Sequence, residues 1–239
     1  MDGLNSPRLR FKTSYDETVY PSRDMMRRQR ILSVKNMGLQ DIPADVFRVA
    51  NEELISIVDL SKNLLDGLPN GIFVLEMNLS ELNLSNNLIR FLSPAIAYFK
   101  RLVILNLCTN GLTELPDEFA ELTALADLNL SSNRFEDVPN CIYKLPHLEV
   151  LSLADNHIKI IDPSERGFGG LKSLLNLDLS NNHISQVPPT LGNLTNIVFL
   201  CLIGNPFRNP RHSVLEKGTK AVLAYLRNLI PSEDSHTQY

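Results

Sequence analysis

Apolar residues recur along this chain in one frame, L-x-x-L-x-L-x-x-N-x-L, with modest substitutions. The frame closes on Asn63, Asn87, Asn110, Asn133, Asn156, Asn182 and Asn205, at steps of 24, 23, 23, 23, 26 and 23 residues. A fixed period in this range marks a repeat architecture, in which each unit buries its apolar face only by stacking on its neighbours. The first half of each unit alternates apolar and polar positions, as in Leu105 and Leu107 or Leu128 and Leu130. Alternation predicts a short strand with its leucines on one face. The second half opens on a turn such as Leu115-Pro116 or Val138-Pro139, followed by apolar pairs such as Phe119 and Leu122 or Ile142 and Leu145. Proline fixes φ and removes a backbone donor, which suits a turn leaving a strand and spoils a helix interior. A unit of this length leaves little room for a long helix, so the returning segments are expected to be short 3₁₀ or extended stretches.

The recurring asparagine has a physical task in such a stack. Where the backbone veers after each strand, amide and carbonyl groups lose their ladder partners. An Asn side chain carries two donors and an acceptor, so it can serve those groups in its own unit and in the adjacent one.

The frame also delimits the array. Residues 1–28 are polar, carry no repeat and read as a flexible lead-in with a basic stretch at Arg23, Arg27, Arg28 and Arg30. Residues 29–207 hold one degenerate unit, in which Met37 stands where the asparagine belongs, and seven regular ones. With that first unit at an edge, Leu32 and Val34 are expected to be exposed to fraying or self-association in an otherwise monomeric chain. Residues 208–231 read as a helical cover, with Thr219 as the cap of a helix running to about Leu229 and Val222, Leu226 and Leu229 on its buried face. Residues 232–239 read as a mobile polar tail.

Composition narrows the class of function. The chain has 239 residues, 44% hydrophobic and 21% charged, with a net charge of −4, so bulk charge does not favour nucleic acid. No run approaches a membrane span, and residues 1–11 lack the apolar stretch of a secretory signal. Three scattered cysteines, Cys108, Cys141 and Cys201, fit a reducing compartment, so the cytoplasm, with the nucleus open, is the expected location. No cysteines or histidines share a metal-ligand spacing, and neither metal nor cofactor is expected. His147, His157 and His183 come from different units with no nucleophile paired to them by motif. The Asn-x-Ser/Thr matches at Asn83 and Asn129 are generated by the repeat's own wording. Thr237-Gln238-Tyr239 faintly resembles a ligand for domains that capture C-termini.

The frame resembles that of intracellular leucine-rich repeat proteins of the Ras-suppressor type, which share the unit length and the Leu-Pro turn. The pieces Gly204-Asn205-Pro206-Phe207-Arg208, Lys217-Gly218-Thr219, Tyr225-Leu226-Arg227 and Ile230-Pro231 resemble the ending of the leucine-rich repeat-containing protein 40 family. The segment from Ile42-Pro43 to Asp59-Leu60-Ser61-Lys62-Asn63 resembles a mid-chain stretch of the same family. Together they imply an α/β fold: a leucine-rich repeat solenoid shaped as a right-handed horseshoe arc, with a parallel concave sheet and a C-terminal helical cap. They also imply a binding protein without catalytic residues. Members of that family carry more repeats on the N-terminal side, so a truncated product with no settled partner stands beside the scaffold reading.

The binding surface expected of such a solenoid is the concave face, formed by the outward strand positions. The candidates there are Asp59, Glu81, Ile104, Asn106, Asp127, Val150, Asn176, Asp178, Phe199 and Cys201. The acids point to a basic partner. Ile104 and Phe199 are large apolar groups at positions expected to face water, a pattern that marks contact surfaces. Non-catalytic protein–protein interaction is therefore the expected function, in an intracellular scaffold or regulator. An adaptor of a Ras-type GTPase pathway is the variant that rests on family analogy. An enzyme is the competing class and needs titratable groups gathered in a cleft, whereas the sequence shows scattered ones.

Overall fold

The computed structural model describes residues 15–231. The lead-in before residue 15, and the tail and C-terminal motif after residue 231, lie outside the described residues. Eight three-residue strands form one parallel sheet in chain order: β1 (Ile31–Ser33), β2 (Ile57–Asp59), β3 (Glu81–Asn83), β4 (Ile104–Asn106), β5 (Asp127–Asn129), β6 (Val150–Ser152), β7 (Asn176–Asp178) and β8 (Phe199–Cys201). Each strand buries its central residue and directs its first and third to the other face. The buried leucines, with Ile96, Phe119, Ile142, Phe168 and Leu191 from the returning segments, form one continuous core.

Most returning segments are 3₁₀ helices, including Pro94–Tyr98, Asp117–Glu121 and Pro189–Asn193. The first unit departs from the expectation of 3₁₀ or extended structure. Its return is an α-helix, α2 (Ala44–Glu52), which buries Val46, Phe47, Val49 and Ala50. Nine residues free of glycine and internal proline sustain two helical turns with one apolar stripe. The helix seats on Gly71 of the next unit, where a Cβ would stand 2.5 Å from the Ala44 Cα.

The asparagine ladder is present in full. Asn133 Nδ2 donates to the carbonyls of Leu107, Leu130 and Ser131 at 3.0, 3.0 and 3.2 Å. Its Oδ1 accepts from the Leu112 amide at 3.0 Å. The same set recurs at Asn87, Asn110, Asn156 and Asn182. Asn205 closes it, donating to Leu179 and Leu202. Toward the degenerate unit, Asn63 of the next unit accepts from both the Met37 and the Leu39 amides.

The residue before each ladder position has a positive φ: Asn36, Lys62, Asn86, Thr109, Ser132, Asp155, Asn181 and Gly204, between 53° and 78°. This left-handed residue makes the sharp exit from the strand. Its amide still pairs with the next unit, as Lys62 does with the Ser85 carbonyl at 2.9 Å.

Both ends carry contacts that the repeat pattern does not show. The sequence reads residues 1–28 as flexible and the first unit as open. Instead α1 (Arg23–Gln29) packs on β1 and α2 with Met26 fully buried. Ser22 caps it by accepting from the Met25 amide. Arg23 pairs with Glu52 at 2.6 Å, and Arg27 with Glu53 at 2.9 Å. The basic stretch is thus partly committed to the acidic end of α2, and Leu32 and Val34 are fully buried.

At the other end α3 (His212–Leu215) and α4 (Thr219–Arg227) cover the core. Gly218, not Thr219, occupies the cap position of α4. The Thr219 hydroxyl instead accepts from the Leu200 amide at 2.9 Å, occupying a donor on the open edge of β8. The buried face is Val222, Leu223 and Leu226, while Leu229 lies beyond the helix and is 46% exposed. The helix lies so close to Gly192 that a Cβ there would meet the Arg227 amide nitrogen at 2.6 Å, and Arg227 donates to the Gly192 carbonyl.

Asn133→Ala tests the ladder. It strips the Leu112 amide of its partner and leaves the Leu107 and Leu130 carbonyls one donor each, from Asn110 and Asn156. The expected cost is about 2–4 kcal/mol, seen as a fall of about 5–15 °C in the thermal midpoint. An unchanged melting curve would remove the ladder from the account of stability.

Candidate functional site: the concave sheet face

The sheet sets ten candidate residues on one face by register alone. Ile57, Glu81, Ile104, Asp127, Val150, Asn176 and Phe199 are successive Cα partners across β2 to β8. A second row beside it runs Asp59, Asn83, Asn106, Asn129, Ser152, Asp178 and Cys201. Parallel strands lie about 4.8 Å apart, so each row is a closely spaced line of side chains crossing the units.

The two rows have different chemistry. In the second row, Asp59, Asn83, Asn106, Asn129 and Asp178 each accept, through Oδ1, from the backbone amide two residues ahead, at 2.9–3.0 Å. These bonds tie down the strand exit, so part of the polarity there is structural. Asn129 and Asp178 also accept from the hydroxyls of Ser131 and Ser180. The first row makes no such bonds. The carboxylates of Glu81 and Asp127 have no hydrogen-bond or ion-pair partner among the described residues. Asp127 stands between Ile104 and Val150, and burial raises its carboxyl above the ordinary carboxylate range.

Toward β8 the face turns apolar. Phe199 and Ile203 are each 50% exposed, with Val198 and Leu175 exposed beside them. Phe199, Cys201 and Ile203 line a pocket of about 200 Å³ with Leu215, Thr219 and Val222 of the cap. Drug-sized ligands occupy about 300–1,000 Å³, so this pocket suits a single side chain. The contribution of Leu215 and Val222 was hidden from the sequence, because the cap lies outside the repeat frame. Apolar residues at the cap's start were the available signal.

Larger grooves lie away from the sheet. One of about 670 Å³ runs along the turns after the strands and includes Glu114, Asp117, Asp137, Cys141, Tyr143 and Asp162. Burial pushes the Cys141 thiol up to about 11 and raises the Tyr143 hydroxyl, which keeps both groups neutral and the thiol a poor nucleophile. His157 and His183, from adjacent units, stack with ring centroids 5.1 Å apart. Among the described residues no group of three or more His, Cys, Asp or Glu could hold a metal ion. No described helix is long and apolar enough to cross a membrane.

The geometry defines the class: an open solenoid with a parallel sheet, one asparagine per turn and capped ends. Models of the leucine-rich repeat match residues 78–99, 100–158 and 173–194. A leucine-rich repeat protein of Leptospira interrogans, LIC12759, superposes with a TM-score of 0.64 at 29% identity, over 78% of this chain and 53% of that one. TLR13, in a complex with ssRNA13, gives 0.62 at 28% identity, over 77% of this chain and 27% of that one. An internalin C2 from Listeria monocytogenes gives 0.62 at 22% identity, covering 80% of this chain and 78% of that one, and supports the fold alone. This chain has the leucine-rich repeat solenoid fold. It spans about half the length of the Leptospira protein and about a quarter of TLR13.

A pH test addresses Asp127. Its native carboxyl binds a proton more tightly than it does in the unfolded chain, where the pKa is about 3.9. Stability therefore falls as pH rises from the unfolded value through the native one. Asp127→Asn removes that loss, so the variant is expected to melt higher than the parent at neutral pH. The two melting curves should converge as the pH falls below the unfolded value. A gap that is constant with pH would count against a desolvated carboxylate.

Proposed function

We propose that this chain is a non-catalytic binding module that docks a protein partner across the concave sheet face. The observation that carries the reading is the first row, where unpaired carboxylates and aliphatic side chains are held in register across successive strands. Leucine-rich repeat domains generally mediate protein–protein interaction, which supports the same use here. A carboxylate without an internal cation attracts a basic surface, and the apolar end beside Phe199 supplies area to bury. TLR13 is described with single-stranded RNA, but the acids on this face would repel a phosphate backbone, so the reading favours a protein.

The likeness to the C-terminal part of the leucine-rich repeat-containing protein 40 family, and to the Ras-suppressor type, supports an intracellular scaffold acting in signalling. On this reading the chain works in the cytoplasm, where Cys108, Cys141 and Cys201 stay as the free thiols they are here. A regulator of a Ras-type GTPase pathway is its most specific form.

The double variant Asp127→Lys, Phe199→Ala is expected to abolish capture of the partner in affinity purification from the native cell, with circular dichroism unchanged. Retained capture by the folded variant would place the contact elsewhere.

A further inference from the structure

We infer that the occupant of the concave face is a cationic segment in the polyproline-II conformation, with Lys or Arg at every third residue. The inference rests on the docking role proposed above and specifies its ligand. Glu81 and Asp127 sit on alternate strands, β3 and β5, with Ile104 between them and Ile57 and Val150 outside. Two strand spacings put the carboxylates about 10 Å apart. A polyproline-II helix has three residues per turn and advances about 9.3 Å per turn. A segment of that form laid across the strands would bring one basic side chain to each carboxylate. Its residues between the two basic ones would pass over Ile104, and those flanking them over Ile57 and Val150. Same-face side chains of a fully extended strand recur at about 6.8 Å, which falls between the positions of Ile104 and Asp127, so successive ones would not meet both carboxylates.

The second row separates this conformation from an α-helix, whose two-turn repeat of about 10.8 Å is not far from the same spacing. Asn83, Asn106 and Asn129 spend Oδ1 on the amides of Ser85, Cys108 and Ser131. Their Nδ2 groups have no partner among the described residues. They therefore form a line of donors beside the carboxylate row, one per strand. A polyproline-II segment makes no internal hydrogen bonds, so its carbonyls are free to accept from them. Helix carbonyls are already used within the helix. The two rows thus read different parts of one ligand: charge at every third side chain, and carbonyls along the backbone.

The probe is a fluorescent peptide of tandem Lys-Pro-Pro triplets, titrated against the whole chain by anisotropy. The controls are a peptide of the same composition with its lysines clustered at one end, and a helical peptide with the same number of lysines. The triplet peptide is expected to bind at least about tenfold tighter than either control. Glu81→Gln with Asp127→Asn should weaken it at least about tenfold while the variant stays folded. Equal affinity for all three peptides, preference for the helical one, no loss in the double variant, or no saturation by about 1 mM would each overturn the inference. A failure of the inference is distinct from a failure of the docking role. If the triplet peptide does not bind but Asp127→Lys, Phe199→Ala still abolishes capture of the cellular partner, the face is used and the ligand is of another form.

Discussion

Each described strand of this protein is three residues long, and a strand that short does not hold its register by its own ladder. The interaction that secures it is the buried asparagine side chain at the strand exit. One amide group binds carbonyls in two adjacent units and accepts from the earlier unit's backbone. The left-handed residue before it turns the chain sharply enough to place it there. The leucine core supplies the larger free energy, but it is non-directional. The asparagines convert a stack of apolar units into a sheet with one register, and the concave face inherits its spacing from that register.

The same register accounts for the division of labour on the concave face. The second row is bound up with the strand exits, so its Asn and Asp residues are partly structural. The first row lies two residues earlier and makes no side-chain hydrogen bonds to the exit, so the ladder leaves its side chains unconstrained. That is where this chain places Glu81, Asp127, Ile104, Val150 and Phe199. The cap extends the face, since Leu215 and Val222 complete the pocket beside Phe199.

Much of this was legible from the order of residues. Asparagine spacing predicted both the units and the ladder, because a side chain that serves neighbouring units must recur once per unit. Strand alternation put the ten candidate residues on one side. The misreadings have a common form. Arg23 and Arg27 read as a loose basic stretch because Glu52 and Glu53, their partners, lie more than twenty residues away. Thr219 read as a helix cap because its real partner is the Leu200 amide on the open edge of β8. The left-handed column was missed although Asn, Asp and Gly, which tolerate that conformation, hold five of its eight positions.

The sequence by itself determined the period, the strands, the core positions and the identity of the surface rows. These follow from local alternation and from a pattern that each unit repeats, so no long-range information is needed to read them. Only the tertiary structure decided how the ends are covered and which polar groups on the concave face remain available. The end covers depend on contacts made once, between segments with no counterpart in other units, and the free carboxylates of Glu81 and Asp127 depend on no cation of another segment reaching them. A repeat pattern carries no record of such contacts.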